Sequence, residues 1–308
     1  MLMVEENISL APLTTFEIGG NARYFTKVRS ESGIKEAISW AEENNVSYIV
    51  LGGASNVLIS DEGYGGLVIR LRGDLWSVSE LRVDAWAGSN LLRAIEASNM
   101  QALGGWERLS GIPGSIGGAV RGNAGAFGSE IKDFVISVRA IHSKSGESRD
   151  FSNVECDFSY RHSFFKDNPE WIITRAVIEL KKTDKSKGSE LIQSTIQERE
   201  RRHLQNVKAA GSFFMNPTAP KEIRELFEQE KSTKSKEGRV PAGWLIEKAG
   251  MKGARVGDAE ASPQHPNYLV NTGNASAKDV LVLAEKIKIY VREQFEIDLT
   301  EEAAIVKN

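Results

Sequence analysis

The chain has 308 residues, enough for two or three packed units rather than one small domain. Hydrophobic residues make up 41% and charged residues 26%, the balance of a globular protein with a buried core. A formal net charge of -3 excludes a broad basic field for nucleic acid, and a single cysteine, Cys156, excludes an intrachain disulfide or a cysteine-rich metal site.

The opening residues, MLMVEENISL, place Glu5 and Glu6 where a secretory leader would be basic. No run of 18 apolar residues follows, so a cytoplasmic, monomeric protein without membrane insertion is expected. Residues 32–45 have helical spacing, with Ser30 or Ser32 as cap. VSYIVLGG then reads as a buried strand running into glycine, and GLVIRL (66–71) as another. The pattern restarts near Leu81 with LRVDAWAG as a strand and a helix from Asn90 to Met100. A glycine-dense stretch, 104–128, leads into the strands FVISVRAIHS and EWIITRAVIELKK. The polar run KKTDKSKGSE (181–190) reads as a connection, followed by a charged helix to about His203. Beyond it, helices are expected near 220–230, 241–249 and 276–294, with a last strand in AAIV. The charged segment 228–239 reads as a solvated loop, and no fixed-period repeat is present.

Two glycine segments stand out, LGGASNVLISDEGYGG (51–66) and SGIPGSIGGAVRGNAGAFG (110–128). Glycine leaves backbone amides bare, and turns of this kind can cradle phosphate. Neither segment is a P-loop or a Rossmann turn, because the chain has no Gly-Lys pair and no strand followed by G-x-G-x-x-G. Two bare segments in one chain point to a long anionic ligand lying on main chain. The four histidines, at 142, 162, 203 and 265, lack metal-ligand spacing, so no metal is expected.

At these residues the chain resembles the UDP-N-acetylenolpyruvoylglucosamine reductase (MurB) family. TTFEIGGNA (14–22) is similar to its N-terminal signature, and the two glycine segments are similar to its FAD-diphosphate loops. The resemblance implies an α+β protein. A flavin-binding part of the vanillyl-alcohol oxidase and p-cresol methylhydroxylase type would span subdomains 1–70 and 71–190. A C-terminal α+β substrate-binding domain would span 191–308. It implies non-covalent FAD, held by Gly52, Gly53, Ala54, Ser55 and Asn56 in the first loop. In the second loop, Ser110, Gly111, Ile112, Gly114, Ser115, Gly117, Gly118, Asn123, Ala124 and Gly125 would hold it. NADPH would be the co-substrate and a UDP-linked enolpyruvyl amino sugar the substrate. The product would be UDP-N-acetylmuramate, a peptidoglycan precursor.

That reaction pushes negative charge onto the substrate α-carbon and carboxylate, so a cation and a proton donor are needed beside them. AAGSFFMNP (209–217) is similar to the family's G-S-x-F-x-N-P motif, which implies Ser212 as proton donor; from spacing alone it is a turn serine. SYRHSFFK is similar to Y-R-x-S-x-F-K, which implies that Arg161 contacts the carboxylate in two parallel bonds. Read as a strand, the segment turns Tyr160 the other way, so its contact with substrate or flavin is the weaker expectation. DLTEEAAIV is similar to the terminal L-E-x-E-V-x-I and implies Glu302 as the acid that completes the site, with Glu301 as the alternative. Arg199 and Arg202 are candidates for UDP or NADPH phosphates, and Asn216 and His265 for substrate contact. Ser212, Arg161 and Glu302 would converge over the flavin from three parts of the chain.

The chain departs from the family at Met215, where lysine is usual, and at Thr300 and Ala304, where glutamate and arginine are usual. Arg121-Gly122 replaces a bulkier pair, and Leu204 a proline. The tyrosine-bearing insertion of the longer subclass is not apparent, so the shorter subclass is expected. Two other readings stay open. One is a flavin oxidase acting on a sugar or alcohol, disfavoured by the lack of histidine or cysteine in the glycine loops for covalent attachment. The other is a nucleotide-sugar binder without activity.

Overall fold

A computed structural model describes residues 2–202 and 206–307, so Leu204 and His203 lie outside the described residues. The chain divides into two compact units. The first comprises 1–8, 22–54 and 65–201, and the second 9–21, 55–64 and 202–308.

The first unit carries a four-stranded sheet in the order Glu5–Ser9, Asn21–Val28, Tyr64–Leu71, Tyr48–Leu51. Its last two strands run parallel, with Ile49 opposite Val68. Residues 52–63 join the two parallel strands, and Asn21–Val28 is linked to Tyr48–Leu51 by the helix Glu31–Glu43. Ser30 caps it by accepting the Gly33 amide at 3.1 Å, and Ile34, Ala37, Ile38 and Ala41 form its buried face at helical spacing. A second, five-stranded antiparallel sheet runs Ser148–Ser152, Val135–His142, Trp171–Glu179, Arg82–Trp86, Trp76–Ser79. The expected strands in 135–142 and 171–179 are its centre, where β-branched side chains suit a half-buried pleat.

The polar run at 181–190 is not a connection. Lys181–Lys182 pairs with Leu103–Gly104, and from Lys185 the chain is helical to Arg201. Asp184 Oδ1 accepts the Lys187 amide at 3.0 Å and starts the helix. Gly188, Ile192, Thr195 and Arg199 then form the buried stripe. Gly188 is necessary there, because a Cβ would strike the Asn99 side chain. Small and polar residues on the buried face conceal the helix from a hydrophobicity pattern.

The second unit is built on the helices Lys221–Lys231, Ala242–Lys248 and Ala277–Phe295. They pack with the three-stranded sheet Arg255–Val256, Ala259–Ala261, Leu269–Asn271 around a core that includes Phe213, Phe214, Leu245 and Ile287. Ser276 and Asp279 form a reciprocal capping box at the start of the long helix. The segment 228–239 is a loop only after Lys231. The Glu228 carboxylate gathers it back, accepting from Lys234 Nζ at 2.8 Å and from the Ser235 amide at 3.0 Å. Residues Ala304–Val306 lie parallel to Val57–Ile59, so the last strand closes onto a segment some 250 positions earlier. Among the described residues no helix is long and apolar enough to cross a membrane.

Cys156 is fully buried in the first unit, and loss of solvation pushes its thiol up to about 12. The folded protein therefore holds it as the unreactive thiol, not the thiolate, at pH 8. We expect no reaction with a thiol reagent in native protein at that pH and one equivalent in urea; fast labelling without denaturant would contradict this burial.

Candidate active site

In the first unit the two glycine turns meet main chain to main chain. A Cβ on Gly53 would lie 2.5 Å from Gly114 Cα, and one on Gly52 would strike Ser115 Oγ. No side chain fits at either point, so the turns expose amides rather than side chains to a ligand. Among the described residues, the amides of Gly52, Gly53, Ala54 and Gly114 donate to no protein acceptor. Ala54 holds a left-handed φ of 52° that costs about 1 kcal/mol without glycine. Ser110 Oγ is fully buried with no hydrogen-bond partner among the described residues, which is a cost unless a ligand supplies one. Bare amides and an orphaned hydroxyl fit a ligand rich in acceptor oxygens, as a dinucleotide diphosphate is.

The other second-loop candidates divide by environment. Ser115 Oγ caps the short helix Ile116–Arg121 by accepting the Gly118 amide at 3.3 Å. Gly117 presses against Ala87, where a Cβ would come within 2.8 Å, whereas Gly118 faces outward. Gly111 and Ile112 are half-buried in the bend between them. Ala124 is tied at both ends, its amide to Ala119 O at 2.8 Å and its carbonyl to the Ile131 amide at 2.9 Å. Just ahead of the first turn, Arg70 lies opposite Leu51; burial, and secondarily Arg72, pushes its guanidinium down to about 10.

Asn123 is fully buried and its amide is spent within the protein. Nδ2 donates to Ser159 O at 2.8 Å and to Glu130 Oε2 at 3.1 Å, and Oδ1 accepts the Lys132 amide at 3.3 Å. These bonds pin the second loop to the turn that carries Arg161. That turn is not a strand, because Ser159 and His162 bridge each other and Arg161 sits at φ 57°. The turn removes the alternation expected between Tyr160 and Arg161, and the guanidinium lies 5.2 Å over the Tyr160 ring. Arg161 Nη2 donates to Gly125 O at 3.2 Å, so the arginine leans on the second glycine loop. Arg199, expected on a solvated face, is 7% exposed, and its Nε has no acceptor among the described residues.

In the second unit the structure brings Ser212 and Glu302 together. The Glu302 amide donates to Phe213 O at 2.8 Å, and Phe214 bridges Glu301. The Ser212 hydroxyl makes no hydrogen bond to any described residue and is half-buried. Glu301 accepts from Lys288 Nζ at 3.0 Å, and this bond holds the Lys288 ammonium above its usual range. Asn56 contributes from a distance in sequence, donating from Nδ2 to Glu302 O at 3.1 Å and accepting the Ala304 amide at 3.0 Å. Ser55 O accepts from Thr15 Oγ1 at 3.2 Å.

Asn216 Oδ1 accepts the Ala242 amide at 3.0 Å and so caps the helix that Pro241 leaves uncapped. His265 stacks edge-on to Tyr268 with 4.8 Å between centroids. Arg202 is exposed just past the helix end. The departures at Met215 and Thr300 face each other, with the Met215 amide donating to Thr300 O at 2.9 Å. Sequence reading missed Asn267, which is 2% exposed and clamps Phe214 from the side away from Glu301. No spacing signal marks it, because its bonds go to backbone 53 residues away. Among the described residues no group of three or more histidine, cysteine, aspartate or glutamate side chains could hold a metal ion.

Comparison with known proteins adds an independent line. Residues 22–152 match the family described as FAD binding domain, and residues 202–306 match the UDP-N-acetylenolpyruvoylglucosamine reductase C-terminal domain. The UDP-N-acetylenolpyruvoylglucosamine reductase of Solibacter usitatus is 35% identical, over 99% of this chain and 97% of its own. That of Bacillus subtilis is 34% identical, over 97% and 93%. The crystal structure of the enzyme from Thermus caldophilus covers 100% of both chains at 32% identity, with a TM-score of 0.79. The expected α+β architecture, a flavin-binding part followed by a C-terminal domain, is thereby shown.

Gly53→Ala should force the two turns apart, costing about 1–3 kcal/mol of stability as overpacking does. Flavin titration should show binding weakened at least tenfold; unchanged affinity would remove Gly53 from the cofactor cradle.

Proposed function

The chain belongs to the UDP-N-acetylenolpyruvoylglucosamine reductase family, and from that premise we propose NADPH-dependent reduction of the enolpyruvyl ether of UDP-N-acetylglucosamine enolpyruvate to UDP-N-acetylmuramate. The protein is an FAD-containing oxidoreductase. The reaction belongs to peptidoglycan precursor synthesis.

The amides of Gly52, Gly53, Ala54 and Gly114 would hold the FAD diphosphate, with the Ser110 hydroxyl as a further donor. Held there, FAD would supply the hydride chemistry that connects NADPH with the enolpyruvyl β-carbon. Arg161 is assigned the substrate carboxylate, because a guanidinium fork matches two carboxylate oxygens. Ser212 gives its proton to the α-carbon. An ordinary hydroxyl is a weak acid, so it can act only against a strong, adjacent carbanionic base. Glu302 steadies the developing charge by hydrogen bonding, while Glu301 stays with Lys288. Arg199, Arg202, Tyr160 and His265 are assigned phosphate and sugar contacts. Asn216 serves the same end indirectly, by capping the helix at Ala242.

The observation that carries this reading is the bond from the Glu302 amide to the Phe213 carbonyl. It joins the segment of Ser212 to that of Glu302, 90 positions later, and so supplies a hydroxyl and a carboxyl group, the pair that protonation of a carbanion needs.

Ser212→Ala should leave flavin reduction by NADPH near normal and slow flavin reoxidation by the enolpyruvyl substrate by about 10²–10⁴. Stopped-flow absorbance separates the two steps, and equal losses in both would make the serine structural. Glu302→Gln should lose less, since an amide still donates a hydrogen bond. A rate untouched by Glu302→Gln but reduced by Glu301→Gln would move the acid to Glu301.

A further inference from the structure

Phe213 and Phe214 immediately follow Ser212 and are fully buried, so their backbone sets where the serine hydroxyl can go. One edge of this dipeptide meets Glu301 and Glu302. The other edge meets a single residue, Asn267. Phe213 N donates to Asn267 O at 2.7 Å, Phe214 N donates to Asn267 Oδ1 at 2.9 Å, and Asn267 Nδ2 donates to Phe214 O at 2.8 Å. The asparagine side chain takes the place of a neighbouring strand's peptide group. It has one donor and one acceptor at the spacing that Phe214 presents, and both are used away from water.

We propose that Asn267 is a positioning residue for proton transfer, holding the Ser212 backbone at the distance from Glu302 that the reaction requires. This rests on the assignment of Ser212 as proton donor. Asn267 touches no reacting atom and acts through Phe213–Phe214. Near neutral pH and above, an amide does this where a carboxylate does not. An aspartate would set a carboxylate oxygen against Phe214 O, and an alanine would strand one donor and one acceptor in the core. Protonated aspartate, in contrast, restores both bonds, with its hydroxyl facing Phe214 O and its carbonyl facing Phe214 N.

The test compares Asn267→Ala, Asn267→Asp and Ser212→Ala in the flavin-loaded enzyme. Asn267→Ala should keep its flavin and its rate of reduction by NADPH, while reoxidation by UDP-N-acetylglucosamine enolpyruvate slows about 10²-fold, the effect of a displacement near 1 Å. In cofactor-free protein, hydrogen exchange should quicken at the Phe214 amide and remain unchanged in the first unit. Asn267→Asp should be slow at pH 8 and regain reoxidation rate as the pH falls to 5, relative to Asn267→Ala. His265 and the Glu301–Lys288 pair are common to both variants and cancel in that ratio. If the alanine variant does not fold, the aspartate variant is referred to the wild-type enzyme at each pH, and a ratio that rises toward pH 5 carries the test.

Equal slowing of both half-reactions, or an aspartate variant whose ratio to alanine is flat with pH, overturns the positioning role. Selective slowing in Ser212→Ala with wild-type behaviour in Asn267→Ala overturns it while leaving the serine assignment standing. A Ser212→Ala variant with normal reoxidation removes both.

Discussion

Two turns approach so closely at Gly53 and Gly114 that no side chain can stand between them. That closeness decides what the first unit can hold. Where main chains touch, recognition passes to amide hydrogens, which are fixed by the fold and carry no side-chain entropy. The turns spare amides that a globular protein would ordinarily pair internally. The buried Ser110 hydroxyl continues the same logic, a polar group left for an external acceptor. The strands and helices around the turns, packed through residues such as Trp86, Leu109 and Ile116, keep the backbone from closing on itself.

The second unit solves another problem, bringing two distant segments together through their backbones. Backbone bonds at Phe213, Phe214 and Glu302 hold the segments, leaving the Ser212 hydroxyl without a hydrogen bond to any described residue. Lys288 engages Glu301 and thereby distinguishes two adjacent acids that composition cannot tell apart. Asn56, Asn216 and Asn267 all spend side-chain amides on backbone, a device suited to irregular segments that lack sheet neighbours.

Much of this was legible from the chain alone, and the failures share a cause. The Glu31–Glu43 and Ala277–Phe295 helices announce themselves through caps and apolar spacing. The Lys185–Arg201 helix does not, because its buried stripe is glycine, threonine and arginine as much as isoleucine. Arg161 looked like a strand residue, yet a left-handed φ puts it in a turn that only the Asn123 bonds explain. Asn123 itself, read as a cofactor contact by its place in a glycine loop, commits its side chain to Ser159, Glu130 and Lys132. Motif position locates such residues, but the direction of a side-chain amide depends on backbone arriving from elsewhere. Asn267 is the extreme case, with bonding partners 53 positions away and no local pattern.

The strand Ala304–Val306 lies against Val57–Ile59, and the unit they share also takes in residues 9–21. A polypeptide emerging from the ribosome would therefore expose its earliest segments of this unit long before their partners exist. The unit that carries the glycine turns is complete in sequence by Arg201 and can condense first. The pairing of Phe213 with Glu302 would then be among the last contacts the nascent molecule makes, with cofactor capture able to precede it.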